Sequence, residues 1–509
     1  TGRAGDKGWI LYSAQGNRMT QAQYTIKALT EALSKGKVSS VELTKEALKA
    51  ARDDSNNCFI SLSEEHALRQ AQDADLQIKQ KAGSFLTGIP MAHKDIFCTK
   101  HSTTTCGSKM LENFAAPYDA TVVKKLDDAG MVCIGKTNMD EFAMGSSNES
   151  SFFGAVHHPW DFDYVPGGSS GGSAVAVAKG YVPFATGTDT GGSIRQPSAF
   201  CGVTGLKPTY GSISRFGMIA FASSLDQAGP IGVSALDVAH LFAFMAGFDK
   251  RDSTSAKRQD NWADSVKSEG FTAQLTPKKI GLPSGPILNM ISYQKEFETA
   301  RRQIESAGHS FIEVDLPNLE HSVPVYYVLA SAEASTNLAR YDGVRFGHRC
   351  SEPKSLEDLY KRSRGEGFGE EVKRRILTGT YTLSVGYFDD YYVKAQKIRR
   401  KIFDDFAATF SKVDAIMLPT TPDTAFKLGS LDDDPVSMYQ QDLFTVPASL
   451  AGIPALSIPC GFHNDLPVGL QLIGPANSEK TILEIACEYQ KNTSWHLTRP
   501  NSNSVLERF

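Results

Sequence analysis

The chain has 509 residues and a net charge of −4, and charged and hydrophobic residues make up 22% and 41% of it. These are ordinary globular values, so they exclude a disordered or collagen-like chain and give no overall basic surface for nucleic acid. Length alone predicts about three domains of about 150 residues each.

The apolar spacing predicts helices and strands that alternate along the chain. Two helices are expected over residues 24–52, separated at Gly36, and Ser39 and Glu42 have the spacing of a capping box at the start of the second. Further helices are predicted over residues 63–81, 121–129, 296–306, 389–410 and 478–490, and strands over residues 59–62, 89–97, 131–134, 279–282, 311–314, 415–418 and 470–473. This interleaving indicates an α/β fold.

Three other features bound the class of protein. No two of the eight cysteines are closer than eight positions, so no C-x-x-C pair exists, and we expect no metal site and a reducing, cytoplasmic compartment. Residues 443–464 carry no charge, but their three prolines predict a buried loop and strand rather than a membrane span. Residues 1–24 show no pattern and are expected to be an N-terminal extension, with Met19 as a candidate start.

Glycine is concentrated in one part of the chain. Twelve of the 53 residues 165–217 are glycine, against 31 of the other 456, and seven serines share that window. Successive glycines let main-chain amides approach one point, because no Cβ blocks them. Converging amides can form an oxyanion hole, and a serine beside such a hole is a candidate nucleophile that needs a base.

Two short motifs in the sequence point to other chemistries but stand in the wrong context. Residues 130–137 satisfy the phosphate-loop pattern GxxxxGK[ST], yet their variable positions are an apolar run, so Gly130 is better interpreted as the end of a helix. Residues 167–171 satisfy the esterase pattern GxSxG, but they follow a polar, proline-broken segment instead of a hydrophobic strand. We therefore expect neither a nucleotide site nor a Ser-His-Asp esterase.

A lysine is the remaining candidate for the base, since the window contains no histidine. Lys94 lies in the mostly apolar stretch IPMAHKDIF (residues 89–97), and burial there would lower its pKa enough to keep it neutral. Glycine-serine runs are more often flexible loops, but the first run leads directly into the apolar segment 174–178, as a linker would not.

These residues together resemble the amidase signature family. The resemblance rests on PGGSSGGSAVAVA (residues 166–178), GTDTGGSIRQP (187–197) and GLKPTYG (205–211). The family uses a Ser-cisSer-Lys triad, so the resemblance implies Ser193 as nucleophile, Ser169 as the bridging serine on a cis peptide and Lys94 as base. It also implies an oxyanion hole formed by the amides of Thr190, Gly191, Gly192 and Ser193.

The resemblance also implies the fold and the domain organisation. An amidase signature domain has a central mixed β-sheet covered by helices on both faces. The similarity runs over nearly the whole chain, so a single domain is expected over residues 25–500, followed by a tail at 501–509.

Within the family the chain resembles a branch of glutaminase subunits that serve tRNA-dependent amidotransferases. The motif GKTNMDEFAMGSS (residues 135–147) and residues 210–225, 331–338 and 361–369 carry this likeness. It implies that ammonia released from glutamine amidates Glu-tRNA(Gln), or Asp-tRNA(Asn), on a partner B subunit that uses ATP and magnesium. It further implies a small C subunit, tRNA contact mainly through B, and no cofactor in this chain.

A site that selects free glutamine needs a cation for the α-carboxylate and an anion for the α-ammonium. The resemblance assigns these roles to Tyr326, Arg375 and Asp442. The sequence leaves open whether the adjacent Tyr327 takes the place of Tyr326 and the adjacent Arg374 that of Arg375. Two alternatives also remain open at this point: a stand-alone amidase for small or aromatic amides, and a non-catalytic scaffold subunit.

Overall fold

The computed structural model describes residues 25–500 except 259, 275, 432 and 433. The N-terminal extension expected over residues 1–24 and the tail expected over 501–509 lie outside the described residues.

A mixed sheet forms the centre of the molecule, and within the described ranges it has eleven strands. The strands are β1 (Phe59–Leu62), β2 (Pro90–Lys94), β3 (Val132–Thr137), β4 (Phe184–Asp189), β5 (Thr204–Lys207), β6 (Gln227–Gly232), β7 (Lys279–Pro283), β8 (Ser310–Val314), β9 (Ala415–Pro419), β10 (Ala455–His463) and β11 (Leu466–Ile473). Their order is β1-β3-β2-β4-β6-β5-β10-β11-β9-β7-β8. Strand β2 is parallel to β3 and β4, β7 is parallel to β8 and β9, and the other pairs are antiparallel.

Within the described residues, helices separate the consecutive strands except β5 from β6 and β10 from β11. They are α1 (Ile26–Ser34), α2 (Ser40–Arg52), α3 (Glu64–Lys79), α4 (Thr121–Asp128), α5 (Gly171–Ala178), α6 (Arg195–Cys201), α7 (Ala235–Met245), α8 (Trp262–Glu269), α9 (Gln294–Ser306), α10 (Ser322–Asn337), α11 (Leu356–Gly367), α12 (Glu370–Thr382), α13 (Lys394–Phe410), α14 (Pro435–Gln440), α15 (Val446–Leu450) and α16 (Glu479–Lys491).

The sheet carries an apolar core on each of its faces. Successive side chains of a strand point to opposite faces, and Met91 of β2 belongs to one buried cluster while the adjacent Ala92 belongs to another. Helix α7 contributes to the first cluster and helix α5 to the second. The predicted α/β architecture, a mixed sheet with helices on both faces, is therefore confirmed.

Most of the predicted elements are present with small changes at their ends. Strand β1 has the predicted bounds, and the capping box of Ser39 and Glu42 is formed at the start of α2. Helix α13 begins five residues later than predicted, because residues 389–393 form a π-helical turn. The uncharged segment 443–464 forms the short helix α15 and the strand β10, and no helix in the described part of the chain could span a bilayer.

Residues 130–137, which match the phosphate-loop pattern, follow a helix and form a strand, as predicted. Gly130 follows the end of α4 with a φ of +81°, and residues 132–137 form the buried strand β3. The glycine-rich window contributes α5, β4, α6 and β5, so it is a folded part of the core rather than a linker.

Candidate active site

Lys94 is the last residue of strand β2, and its ammonium group is fully buried. Its Nζ donates hydrogen bonds to the hydroxyl oxygens of Ser169 (2.8 Å), Ser170 (2.9 Å) and Thr188 (2.9 Å). All three partners are uncharged. Burial lowers the pKa of Lys94 to about 7, although Asp140 and Asp189 oppose this shift. A lysine in this setting is substantially neutral near pH 7 and can act as a base.

The first glycine-serine run places Ser169 directly before helix α5. The peptide bond between Gly168 and Ser169 is cis, and both Ser169 and Ser170 are fully buried. The amide of Ser170 donates to the carbonyl oxygen of Ser193 (3.2 Å). This bond joins the two glycine-serine runs and brings Lys94, Ser169 and Ser193 into one region.

Ser193 lies in the turn between β4 and α6. It is 8% exposed, whereas Lys94 and Ser169 are completely buried, so it is the most accessible of the three. Among the described residues, none accepts a hydrogen bond from the main-chain amides of residues 190–193. Such unpaired amides are suited to an anionic oxygen.

A buried ion pair joins Asp189 and Arg195, the residues on either side of this turn. Arg195 donates to both carboxylate oxygens of Asp189, at 2.9 Å each, and also to the Thr445 carbonyl (2.8 Å). Burial would raise the pKa of Asp189, but the charge and hydrogen bonds of Arg195 outweigh it and lower the pKa. Sequence analysis missed this pair, because a single Asp or Arg is usually a surface residue. The only signal was the position of both residues within the glycine-rich window.

Asp140 supports the other side of the cis peptide. Its amide donates to the Ser169 carbonyl (3.3 Å), and its carboxylate accepts from the amide of Asn148 (2.9 Å) and the hydroxyl of Ser150 (2.8 Å). A Cβ atom on Gly168 would lie 1.9 Å from Asp140 Oδ2, so only glycine fits there. Burial raises the pKa of Asp140 to about 6, against its hydrogen bonds. The sequence analysis did not single out this residue.

Tyr326 of helix α10 lies against the turn that carries Ser193. A Cβ atom on Gly191 would fall 2.6 Å from Cζ and 2.8 Å from the hydroxyl oxygen of Tyr326. The neighbouring Tyr327 instead donates to Asp442 Oδ2 (3.0 Å) and stacks on Tyr439, with ring centroids 3.8 Å apart. Of the two tyrosines, Tyr326 is therefore the one that contacts the glycine turn.

Arg375 of helix α12 is buried, with 3% of its surface exposed. Its Nε donates to Glu371 Oε1 (2.6 Å), and its guanidinium lies 4.5 Å from the ring centroid of Tyr327. Its Nη1 atom is buried and has no hydrogen-bond partner among the described residues. The neighbouring Arg374 is half-exposed and forms a surface ion pair with Glu371. This burial distinguishes Arg375 from Arg374.

Asp442 supplies a buried carboxylate to the same region. Its Oδ2 accepts from Ser146 (2.8 Å) and Tyr327 (3.0 Å), which leaves Oδ1 for another donor. Burial raises the pKa of Asp442 to about 6, and its hydrogen bonds and Arg375 oppose the rise. Its carbonyl oxygen accepts from the hydroxyl of Thr445 (3.2 Å), a side chain that contacts Gly192. Asp442 is thus connected to the Ser193 turn.

A cavity of about 400 Å³ lies beside Arg375, whereas Lys94, Ser169, Ser193, Tyr326 and Asp442 do not line it. Its lining includes Asp140, Ser146, Ser147, Glu371, Arg375 and Tyr439. It is large enough for a small charged amide. No cluster of three His, Cys, Asp or Glu side chains that could hold a metal ion occurs in the described residues.

Comparison with known proteins identifies the family. The sequence profile described as Amidase matches residues 42–483. The chain therefore belongs to the amidase family, as the resemblance of its glycine-serine motifs predicted.

The relatives within the family define a narrower group. A protein of Marinomonas sp. (strain MWYL1), named as the A subunit of glutamyl-tRNA(Gln) amidotransferase, is 55% identical over 94% of this chain and 98% of its own length. The protein of the same name from Thioalkalivibrio sulfidiphilus (strain HL-EbGR7) is 57% identical, again over 94% and 98%. The crystal structure of the glutamyl-tRNA(Gln) amidotransferase A subunit from Thermotoga maritima matches with a TM-score of 0.77 and 39% identity, over 97% and 99% of the two chains.

The fold is also shared with amidases of other names. The native peptide amidase from Stenotrophomonas maltophilia matches with a TM-score of 0.79 and 31% identity, over 94% of this chain and 98% of that one.

Proposed function

We propose that this protein is the glutamine-hydrolysing A subunit of a tRNA-dependent amidotransferase. The observation that carries the proposal is the fully buried Lys94, whose Nζ lies 2.8 Å from Ser169 Oγ beside the turn of Ser193. The names of relatives that are 55–57% identical over nearly the whole chain support glutamine as the amide donor. The complete complex would then be an ATP-dependent carbon–nitrogen ligase.

In the proposed mechanism Ser193 is the nucleophile and Lys94 the base. Neutral Lys94 accepts the proton of Ser169, and Ser169 accepts the proton of Ser193 as Ser193 Oγ attacks the amide carbonyl of glutamine. The unpaired amides of residues 190–193 stabilise the negative oxygen that develops. Ser169 then donates a proton to the leaving ammonia and regains one from Lys94, and water hydrolyses the acyl-enzyme to glutamate.

The binding of glutamine is assigned to three side chains: Arg375, which lines the cavity, Asp442, which is bonded to the lining residue Ser146, and Tyr326. Arg375 binds the α-carboxylate, because its unpartnered edge has the planar geometry that carboxylates prefer. Asp442 binds the α-ammonium through its free oxygen. Tyr326 lies against Gly191 and orients the amide end of the substrate.

The partners follow from the same assignment. Ammonia leaves this chain for a B subunit, which uses ATP and magnesium to amidate Glu-tRNA(Gln) or Asp-tRNA(Asn), and a small C subunit joins this chain to B. We assign no cofactor to this chain and propose that residues 25–500 act as one domain. We further propose that the complex works in the cytoplasm and that tRNA is held mainly by the B subunit.

The test uses the chain produced together with its B and C subunits. Glutamine-driven amidation of charged tRNA should be lost in Ser193→Ala, while amidation fed by an ammonium salt should continue, since the ligase chemistry lies in the B subunit. Normal glutamine use by Ser193→Ala would show that the nucleophile is wrong. Hydrolysis of a hydrophobic amide in preference to glutamine, without partner subunits, would instead favour the stand-alone amidase. If variants of Ser193, Ser169 and Lys94 all kept both glutamine-driven and ammonium-driven amidation, the result would favour a non-catalytic scaffold subunit.

A further inference from the structure

Within the described part of the chain, the guanidinium of Arg375 is hydrogen-bonded at Nε and unpartnered at Nη1. Its Nε donates to Glu371 Oε1 (2.6 Å), while Nη1 is buried without a partner among the described residues. The aromatic rings of Tyr327 and Tyr439 lie 4.5 Å and 5.2 Å from its central carbon. The two rings restrict the plane of the guanidinium. The bond from Nε to Glu371 then fixes the direction in which Nη1 points within that plane.

Glu371 is itself held in place by several groups. It precedes Arg375 by four residues on α12, the spacing that brings an acid and a base together on a helix. Its Oε1 also accepts a hydrogen bond from the hydroxyl of Tyr439 (3.2 Å), and its Oε2 accepts from Arg374. The Glu371 side chain is only 16% exposed. These contacts leave its carboxylate little freedom.

The same contacts reach the other end of the proposed glutamine site. Tyr439 stacks on Tyr327 with an interplanar angle of 24°, and the hydroxyl of Tyr327 donates to Asp442. The cation and the anion assigned to glutamine are thus connected through Glu371, Tyr439 and Tyr327.

We propose that Glu371 is a positioning residue for substrate selection: it orients the guanidinium of Arg375 so that its free edge meets the α-carboxylate of free glutamine. The proposal rests on the assignment of Arg375 in the proposed function. Glu371 also lines the cavity, but the role proposed for it is exerted through Arg375. Its contribution is preorganisation, because a guanidinium already held in one orientation loses less entropy when it binds a carboxylate.

The expected effect is on binding rather than on the chemical step. In the full complex, Glu371→Ala should raise KM for glutamine about tenfold, the effect of misplacing a charge-assisted hydrogen bond, with kcat changed less than about twofold. Glu371→Gln keeps an acceptor for Arg375 and should raise KM less. Tyr439→Phe removes the hydroxyl that holds Glu371 but keeps the stacked ring, so it should give a smaller increase of the same kind.

A second substrate separates positioning from general damage. 4-Aminobutanamide is glutamine without its α-carboxylate, so it does not need the free edge of Arg375. We expect Glu371→Ala to leave kcat/KM for this amide unchanged within about twofold while that for glutamine falls about tenfold. An equal fall for both amides would overturn the proposal, because it would show a structural effect on the whole site.

Glu357→Ala is the matched control. Glu357 carries the same charge, lies on helix α11 and forms an exposed ion pair with Lys361, four residues further along the helix. Its removal should change the kinetics of neither substrate, because it neither contacts Arg375 nor lines the cavity. A rise in KM for glutamine equal to that of Glu371→Ala would show that the loss of any acidic side chain has this effect, and this too would overturn the proposal.

A double variant tests whether Glu371 acts through Arg375. Once Arg375→Ala has removed the guanidinium, Glu371→Ala should have no further effect on KM, so the two changes should be strongly non-additive. A full tenfold effect in the Arg375→Ala background would contradict the proposal. If Arg375→Ala left KM for glutamine unchanged, the assignment of Arg375 to the glutamine site would be wrong. This result distinguishes a failure of the proposed function from a failure of the positioning role of Glu371.

Discussion

The pH dependence of glutamine hydrolysis follows from the pKa of Lys94. The proposed mechanism uses Lys94 as the base in its neutral form, and burial lowers its pKa to about 7. The neutral fraction then rises from about one tenth at pH 6 to about nine tenths at pH 8. Because the base is the deprotonated form, activity is gained as pH rises through 7. We expect the titration of Lys94 alone to increase kcat/KM for glutamine about tenfold between pH 6 and pH 8, with a plateau above that.

The assay is the initial rate of glutamate formation by the full complex at low glutamine, with circular dichroism at each pH to confirm that the fold is intact. Asp442 adds a further loss of about twofold at pH 6 and more below it, because burial raises its pKa to about 6 and its protonated form cannot bind an ammonium group. Lys94→Arg should be inactive at every pH, since a guanidinium keeps its proton. A flat profile between pH 6 and pH 8, or glutamine hydrolysis by Lys94→Arg, would refute the assignment of Lys94 as the base.

Three substitutions test other parts of the site. Arg195→Met leaves a buried carboxylate without its partner, so it should lower the free energy of unfolding by about 3–5 kcal/mol in thermal or denaturant unfolding; a loss below about 1 kcal/mol would contradict this. Gly191→Ala places a Cβ 2.6 Å from Tyr326 Cζ and should lower kcat/KM for glutamine on the order of tenfold. Gly365→Ala, where nothing lies within 4 Å, is its control and should have no effect. Asp442→Asn should raise KM for glutamine about tenfold or more but leave that for glutaramic acid, which lacks the α-ammonium, unchanged; an equal rise for both would exclude the assigned role.

The sequence predicted those elements whose periodicity is strong and local. Strand β1 and the Ser39 capping box follow from residues close together in the chain. Strands β4 and β6 (FATGTD and QAGPIG) were not predicted, because they have few β-branched residues and are buried on both faces, so they show no alternation. Tertiary packing, not local preference, makes them strands.

The candidate site was predictable where the residues lie in a dense motif. Ser169, Ser193 and Lys94 could be singled out because glycine clusters and an apolar strand mark their surroundings. Glu371 could not, because it stands in the charged stretch EEVKRR, where sequence alone indicates a solvated helix face. Its contacts with Arg375 and with Tyr439 are made across 4 and 68 positions of the chain, and the second depends on the fold.

The identity of the nucleophile is the central claim, and covalent trapping tests it most directly. The full complex is treated with a glutamine analogue that carries a chloromethyl ketone in place of the amide, and the modified residue is located by mass spectrometry of the digested chain. The account predicts one adduct on Ser193, prevented by excess glutamine and greatly slowed in Lys94→Met. An adduct on Ser169 or on any other residue, with Ser193 unmodified, would contradict the account.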